Sequence, residues 1–243
     1  MEEKIIMGRN PVLEYLKAIE TPAGAELLVQ KGAHGKIIDT IIETARHRGV
    51  RLTFCEKGVL SRRGPSSTHQ GVMLTLRRRD DGPGEEDFLD HVRQKKGVIV
   101  ALDQMSDPHN VGSIIRTTEA LGGDGVVLTR SHSAAVTPTV VKASAGATAH
   151  LKVLTVANMA RFLEQAAGKD FWIFGTAADG DRTPEEIAGL RPAVVIIGGE
   201  GSGMRRLSAE KCNHLLRIPL RGEISSLNAS VAAAIVLYEI LKG

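Results

Sequence analysis

From residue 97 onward, short apolar runs recur with helical patterns between most of them: GVIVALD (97–103), DGVVLT (124–129), HLKVLTV (150–156), FWIFGTA (171–177), AVVIIGG (193–199) and LLRIPL (215–220). These runs are rich in Val, Ile and Leu and mostly lack an alternating polar face. A strand of that kind must be covered on both sides. Parallel pairing supplies the cover, because each crossover lays a helix across the sheet. The pattern therefore predicts an α/β domain built on a parallel, doubly covered sheet over 97–243.

A smaller α/β pattern precedes it over 1–76. Asn10 can cap a helix with Pro11 in first position and Val12, Leu13, Leu16 and Ile19 on one face. AELLVQ, VRLTF and GVMLTL read as strands, and Ile37, Ile38, Ile41 and Ile42 mark a second helix. Between the two patterns, RRRDDGPGEEDFLDHVRQKK (77–96) is charged and carries Gly-Pro-Gly. It reads as a linker with one helical turn near Glu85–His91.

Several classes are excluded. No run approaches the roughly 18 apolar residues of a membrane span, and the start, MEEKIIMGRNPV, is too polar for a signal peptide. Cys55 and Cys212 stand far apart, which fits a reduced, cytosolic protein with neither a disulfide nor a zinc framework. The net charge of +3 is uneven: residues 1–79 carry +6 and residues 80–243 carry −3. A basic first third suits a polyanion such as nucleic acid, against the plainer reading of a solvated surface.

Three segments carry candidate chemistry. IIGGEGSGMRR (196–206) follows a strand and is glycine-rich, but it lies too late in the domain for a dinucleotide fingerprint and lacks the Gly-Lys-Ser/Thr of a Walker loop. Its glycines let backbone approach a ligand; the alternative is a flexible turn, with Glu200 a solvated carboxylate. LDQMSDPHNVGSIIRTTEALG (102–122) runs from strand through loop into a helix starting near Asn110. Val111, Ile114, Ile115, Thr118 and Leu121 form its buried stripe. Arg116 lies off that stripe, above Gly112 and Ser113, and can lean back toward Asn110; otherwise it pairs on the surface with Glu119. A lone His109 is more often neither ligand nor catalyst. In RIPLRGEISSLNASVAAAIVLYEIL (217–241), a strand ends at Pro219, and Ser225, Ser226 and Asn228 stand at the lip of an oily helix. Capping explains one of these polar groups but not three. Ala232, Ala233 and Ala234 imply close packing on several sides, by a second chain or a segment threaded nearby.

Taken together, DPHNVGSIIRTTEALG (107–122), GGEGSGMRRLS (198–208) and IPLRGEISSLNASVAAAI (218–235) resemble the three motifs of the SpoU (TrmH-type) RNA ribose 2′-O-methyltransferases of the SPOUT superfamily. The resemblance spans about 97–243. IMGRNPVLEYL (6–16), THQGVML (68–74) and FWIFGTAADGDRTPEEI (171–187) are similar to the RlmB branch, which methylates a guanosine ribose in the peptidyl-transferase region of 23S rRNA.

The resemblance implies an α/β knot, a C-terminal trefoil with a mostly parallel sheet, behind a small N-terminal α/β substrate-binding domain. It implies S-adenosylmethionine, no metal, and a homodimer with no membrane association. The donor would be held around Thr176, Gly198, Gly199, Ile218, Leu220, Ser226 and Leu227. Asn110, Arg116, Glu200, Ser226 and Asn228 match the family's catalytic positions. Gly199 departs from relatives that carry Asn, Ala or Ser, and little effect is expected if backbone contacts dominate there. Arg9, Arg62, Arg63, Arg77, Arg78 and Arg79 are candidate phosphate contacts in the basic domain. Aromatic residues make up only 3% of the chain, which favours recognition of folded RNA by shape over stacking. Two other readings stay open: a non-catalytic RNA-binding protein, and a methyltransferase acting on tRNA or another rRNA site.

Overall fold

A computed structural model describes residues 2–19, 24–63, 69–78, 84–130, 133–199, 203–223 and 226–242, with the side chains at 2, 3, 63, 77 and 78 left aside. The chain divides into two compact units, Met1–Gly82 with Val136–His150, and Pro83–Ala135 with Leu151–Gly243.

The first unit contains β1 (Glu2–Met7), α1 (Arg9–Ala18), β2 (Ala25–Gln30), α2 (Lys36–His47), β3 (Arg51–Cys55), α3 (Lys57–Arg63) and β4 (Val72–Arg78). Its sheet order is β1-β4-β2-β3, antiparallel except for the β2–β3 pair. Strand β1 is not among the strands the sequence predicts; it lies at the sheet edge, where β4 is its partner strand. Helix α1 begins at Arg9, not after an Asn10 cap. Gly8, at φ 95°, is its N-cap, and the Arg9 amide donates to Gln70 Oε1 at 3.0 Å. Pro11 still falls in the first turn, where its missing N–H costs nothing.

The core of this unit joins Ile6, Val12, Leu16, Leu27, Ile38, Ile41, Val72 and Leu74 with Val141, from α6 (Pro138–Ala143). Thus a segment that lies in sequence inside the second α/β pattern completes the core of the first unit. Gly146, at φ 95°, makes this packing possible, because a Cβ there would press on Glu14 and Pro11 of α1. The Tyr15 hydroxyl donates to Thr148 Oγ1 at 2.8 Å.

In the second unit, α4 (Glu85–Gln94) is followed by β5 (Val98–Asp103), α5 (Pro108–Ala120), β6 (Gly125–Thr129), β7 (Lys152–Val156), α7 (Met159–Ala167), β8 (Trp172–Thr176), β9 (Ala193–Gly198), α8 (Arg206–Ala209), β10 (His214–Leu216) and α9 (Ala229–Leu241). All six strands are parallel, in the order β10-β8-β9-β5-β6-β7. One face is covered by α4 and α7, through Phe88, Leu89, Val92, Met159, Phe162 and Leu163. Helices α5 and α9 pack against each other, with α9 also against β9.

Two expectations change. The 77–96 stretch is not merely a linker with one helical turn, since α4 runs to Gln94. Each of its three buried side chains is worth up to about 1.5–3 kcal/mol of burial. The last strand ends at Leu216, not Pro219. It pairs with β8 on one side, on the other it meets a single bridge at Arg182, and beyond Leu216 the Arg217 amide turns to the carbonyl of Arg182 at 2.8 Å. No described helix is long and apolar enough to cross a membrane.

His69 gives the first unit a pH dependence. Its ring is buried, and Nδ1 accepts the Gly71 amide at 3.0 Å. Burial, helped by the charge of Lys57, holds its pKa below the usual 6.5. A depressed histidine pKa favours the neutral folded form, so this contribution is complete above the ordinary histidine value and lost as pH falls below it. Chemical denaturation at pH 7.5 and 5 should show lower stability at pH 5, and His69→Gln should reduce that difference.

Candidate active site

The six strands of the second unit point the same way, so their C-terminal ends share one rim. Crevices at such a rim are where α/β sheets bind ligands. Here the chain leaving β8, β9 and β10 meets the start of α9 around a cavity of about 660 Å³, a size suited to a cofactor. The cofactor residues expected from the sequence, Thr176, Gly198, Gly199, Ile218, Leu220, Ser226 and Leu227, all line it. Asn228 lines it as well.

Glycine shapes one wall. The Gly199 amide donates to the Gly203 carbonyl at 3.2 Å, and Gly203 returns the bond at 3.1 Å. A Cβ at Gly198 would collide with the backbone of Gly203 and Met204, and one at Gly199 with the carbonyl oxygen of Gln104. Gly199 is therefore not a neutral departure in this chain: backbone lies where a side chain would start, and a substitution there must move it. Glu200 lies outside the described residues, as does Ser225.

Asn228 links this wall to the α5 segment. Its Oδ1 accepts the amides of Ser230 at 2.9 Å and Val231 at 3.4 Å, so it is the N-cap of α9. Its Nδ2 donates to Asn110 Oδ1 at 3.1 Å. Asn110 is buried in the first turn of α5, behind an Asp107 cap whose carboxylate accepts the His109 amide at 2.9 Å. Helix α5 thus starts at Pro108, two residues before Asn110. Ser226 is exposed on the cavity rim.

Arg116 is placed elsewhere. It is exposed and does not line the 660 Å³ cavity. It borders a separate groove of about 470 Å³ between α5 and α9, with Ser113, Thr117, Ala120, Leu121, Ala234 and Tyr238. Ser113 is beside it, as the sequence anticipates.

The three consecutive alanines of α9, residues 232–234, serve three surroundings. Ala232 lines the cavity, Ala233 is buried in the unit, and Ala234 lines the Arg116 groove. Val231, Ile235 and Tyr238 remain exposed along one stripe of the helix.

Among the RNA-contact candidates, Arg9 Nε donates to the Gln70 carbonyl at 3.2 Å and Arg62 Nε to the Gly58 carbonyl at 3.1 Å. The side chains of Arg63, Arg77 and Arg78, and the whole of Arg79, lie outside the described residues. Cys212 is no nucleophile, since burial pushes its thiol up to about 12. No cluster of three or more possible metal ligands occurs among the described residues.

The sequence reading missed a polar group beneath the glycine wall. Asp103, at the end of β5, is fully buried, and its Oδ2 accepts the Arg205 amide at 3.0 Å and the Ser208 hydroxyl at 2.7 Å. Its signal was a carboxylate closing a run of five apolar residues, a place where a charge must find partners.

Residues 97–238 match the SpoU rRNA methylase family profile, and residues 5–81 match the RNA 2′-O ribose methyltransferase substrate-binding profile. A TrmH family tRNA/rRNA methyltransferase of Staphylococcus haemolyticus is 34% identical over all of this chain and 96% of its own length. A tRNA/rRNA methyltransferase of Mycolicibacterium gilvum is 36% identical over 99% of this chain and 77% of its own length. In fold, the chain is similar to the SpoU methyltransferase AviRb from Streptomyces viridochromogenes in complex with its cofactor AdoMet, with a TM-score of 0.79 at 24% identity, covering 99% of this chain and 90% of the other. The chain with this rim cavity and these motifs belongs to the SpoU family of RNA methyltransferases.

Proposed function

We propose that the protein transfers a methyl group from S-adenosylmethionine to a ribose 2′-hydroxyl of RNA, and that its target is a guanosine in the peptidyl-transferase region of 23S rRNA. The observation that carries this reading is the single cavity bringing Thr176, Gly198, Gly199, Ile218, Leu220, Ser226, Leu227 and Asn228 to the C-terminal rim of the sheet.

The residues fit the donor. Ile218, Leu220 and Leu227 offer apolar walls for a base, and the glycine backbone offers close polar contact without side chains in the way. AviRb, solved with AdoMet bound, supports the same donor for this chain. When bound, the donor supplies an electrophilic methyl on a sulfonium. The 2′-oxygen forms the new C–O bond as the C–S bond breaks, and the hydroxyl proton is released. The sulfonium charge is cancelled along the way, so positioning is the protein's main task. Alignment of this kind is worth up to about 7–11 kcal/mol.

In this reading Asn110 and Asn228, joined by their hydrogen bond, brace the α9 lip, Ser226 borders the ribose, and Glu200 helps organise the site. Arg116 binds an RNA phosphate and polarises the 2′-oxygen. A guanidinium with a pKa above about 12 is a poor base at neutral pH but a good phosphate fork. Arg116 does not line its own chain's cavity, and its groove shares Tyr238 with the exposed stripe of α9. We therefore read the active form as a homodimer seated on Val231, Ile235 and Tyr238, with Arg116 serving the partner's cavity. The basic first unit, with Arg9, Arg62, Arg63, Arg77, Arg78 and Arg79, grips the RNA through phosphates, and the reaction takes place in the cytoplasm.

The deciding experiment is transfer of labelled methyl from S-adenosylmethionine to unmodified 23S rRNA, with a tRNA pool in parallel. Label on rRNA that protects its 3′ linkage from alkali is the expected result. Label on tRNA alone would overturn the target while keeping the chemistry. Arg116→Ala should lower turnover at least about a hundredfold with donor binding intact; turnover near wild type would remove Arg116 from the reaction. Ile235→Asp with Tyr238→Asp should convert the protein to a monomer in sedimentation and abolish transfer.

A further inference from the structure

The glycine wall of the cavity joins two fixed points. It leaves β9 at Gly198, paired in register with Asp103 of β5, and it returns through Met204 and Arg205 into the short helix α8. Met204 gives the return one apolar anchor, packed against the core of the unit, while Arg205 and Arg206 are polar and Leu207 is exposed. Its second hold is polar and buried. Asp103 Oδ2 accepts both the Arg205 amide at 3.0 Å and the hydroxyl of Ser208 at 2.7 Å, and Ser208 is itself buried. Asp103 Oδ1 has no hydrogen bond among the described residues, and its compensating charge is Arg205 Nε at 3.7 Å.

The neighbouring residue makes the arrangement tighter. Gln104 adopts φ 61°, a left-handed conformation unusual for a residue with a side chain. In that conformation its carbonyl oxygen lies where a Cβ of Gly199 would be. With its amide oriented to face the guanidinium, Gln104 Oε1 accepts from Arg205 Nε at 3.0 Å and Nη2 at 3.3 Å. Asp103, Gln104, Arg205 and Ser208 thus clamp the far end of the wall to the end of β5.

We propose that Asp103 is a positioning residue for the donor site: its buried carboxylate sets the paired backbone of Gly199 and Gly203, and with it the affinity for S-adenosylmethionine. This rests on the reading of the cavity as the donor site. An unmatched buried carboxylate is costly, so the chain holds it only where the partners are fixed in place. Asp103→Asn keeps the size but not the match. One orientation of the amide sets its N–H₂ against the Arg205 amide, the other against the guanidinium.

The test uses full-length wild type, Asp103→Asn, Ser208→Ala and the double variant. Binding of S-adenosylmethionine is measured by calorimetry, and amide exchange is followed across 198–208. Asp103→Asn should weaken donor binding about tenfold or more, and Ser208→Ala about threefold. The double variant should bind no worse than Asp103→Asn, because both act through one oxygen. Exchange should quicken at Gly199, Gly203 and Arg205 and not in β5 or β9. In turnover, KM for the donor should rise while kcat at saturating donor is kept, a split that general destabilisation would not produce. Donor affinity of Asp103→Asn within about twofold of wild type overturns the proposal, as do losses that multiply in the double variant. Should Asp103→Asn not fold, unchanged binding and exchange in Ser208→Ala overturn it equally. A wild type that binds no donor refutes the cavity reading and the proposal together, whereas equal binding by wild type and Asp103→Asn refutes the proposal alone.

Discussion

The pairing of β5 with β9 is the constraint from which the candidate site follows. It is parallel and central, and it brings Asp103 opposite Gly198 at the end of both strands. Because parallel strands all finish on the same side, the chain leaving β8, β9 and β10 converges there without any further device. Gly198 and Gly199 then pass so close to the backbone of Gly203 and Gln104 that side chains have no room. The site is backbone pressed on backbone, and its shape depends on how firmly the strand ends are tied.

Helix α9 is apolar nearly all round, which is unusual for a helix at the edge of a unit. Four different surroundings account for it. One side is buried within the unit through Ala233, Val236, Leu237 and Ile240. A second, at Ala232, closes the cavity; a third, at Ala234, borders Arg116; and the stripe of Val231, Ile235 and Tyr238 stays open. The polar lip has its own logic. Asn228 caps the helix with one end of its amide and reaches Asn110 with the other, so a single side chain satisfies helix amides and fastens α9 to α5.

The first unit makes a different point about locality. Its core is completed by Val141, far along the chain, and the contact is possible because Gly146 has no side chain to meet Glu14 and Pro11. Periodicity assigned 97–243 to one pattern because it reports which residues want burial. It says nothing of which core receives them. The same limit hid α4. Its charged face and the Gly-Pro-Gly before it dominate the composition, while Phe88, Leu89 and Val92, enough to bury it, are only three residues of ten.

What the sequence determined by itself was class and motif: two α/β patterns, a parallel sheet in the second, and three segments whose residues point to RNA methylation. The patterns are legible because strand hydrophobicity, glycine content and capping chemistry are local properties, whereas the link to RNA methylation comes from the resemblance of the three segments to a known family. Only the tertiary structure decided that the residues expected around the donor, from three segments, share one cavity while Arg116 of the same chain borders another. It alone also ended β10 at Leu216 and tied Asp103 to Arg205 and Ser208, about a hundred residues later in the chain. Those outcomes depend on which strand ends lie side by side and on where a buried charge finds its partners. Both are settled by packing between distant segments, which no local pattern encodes.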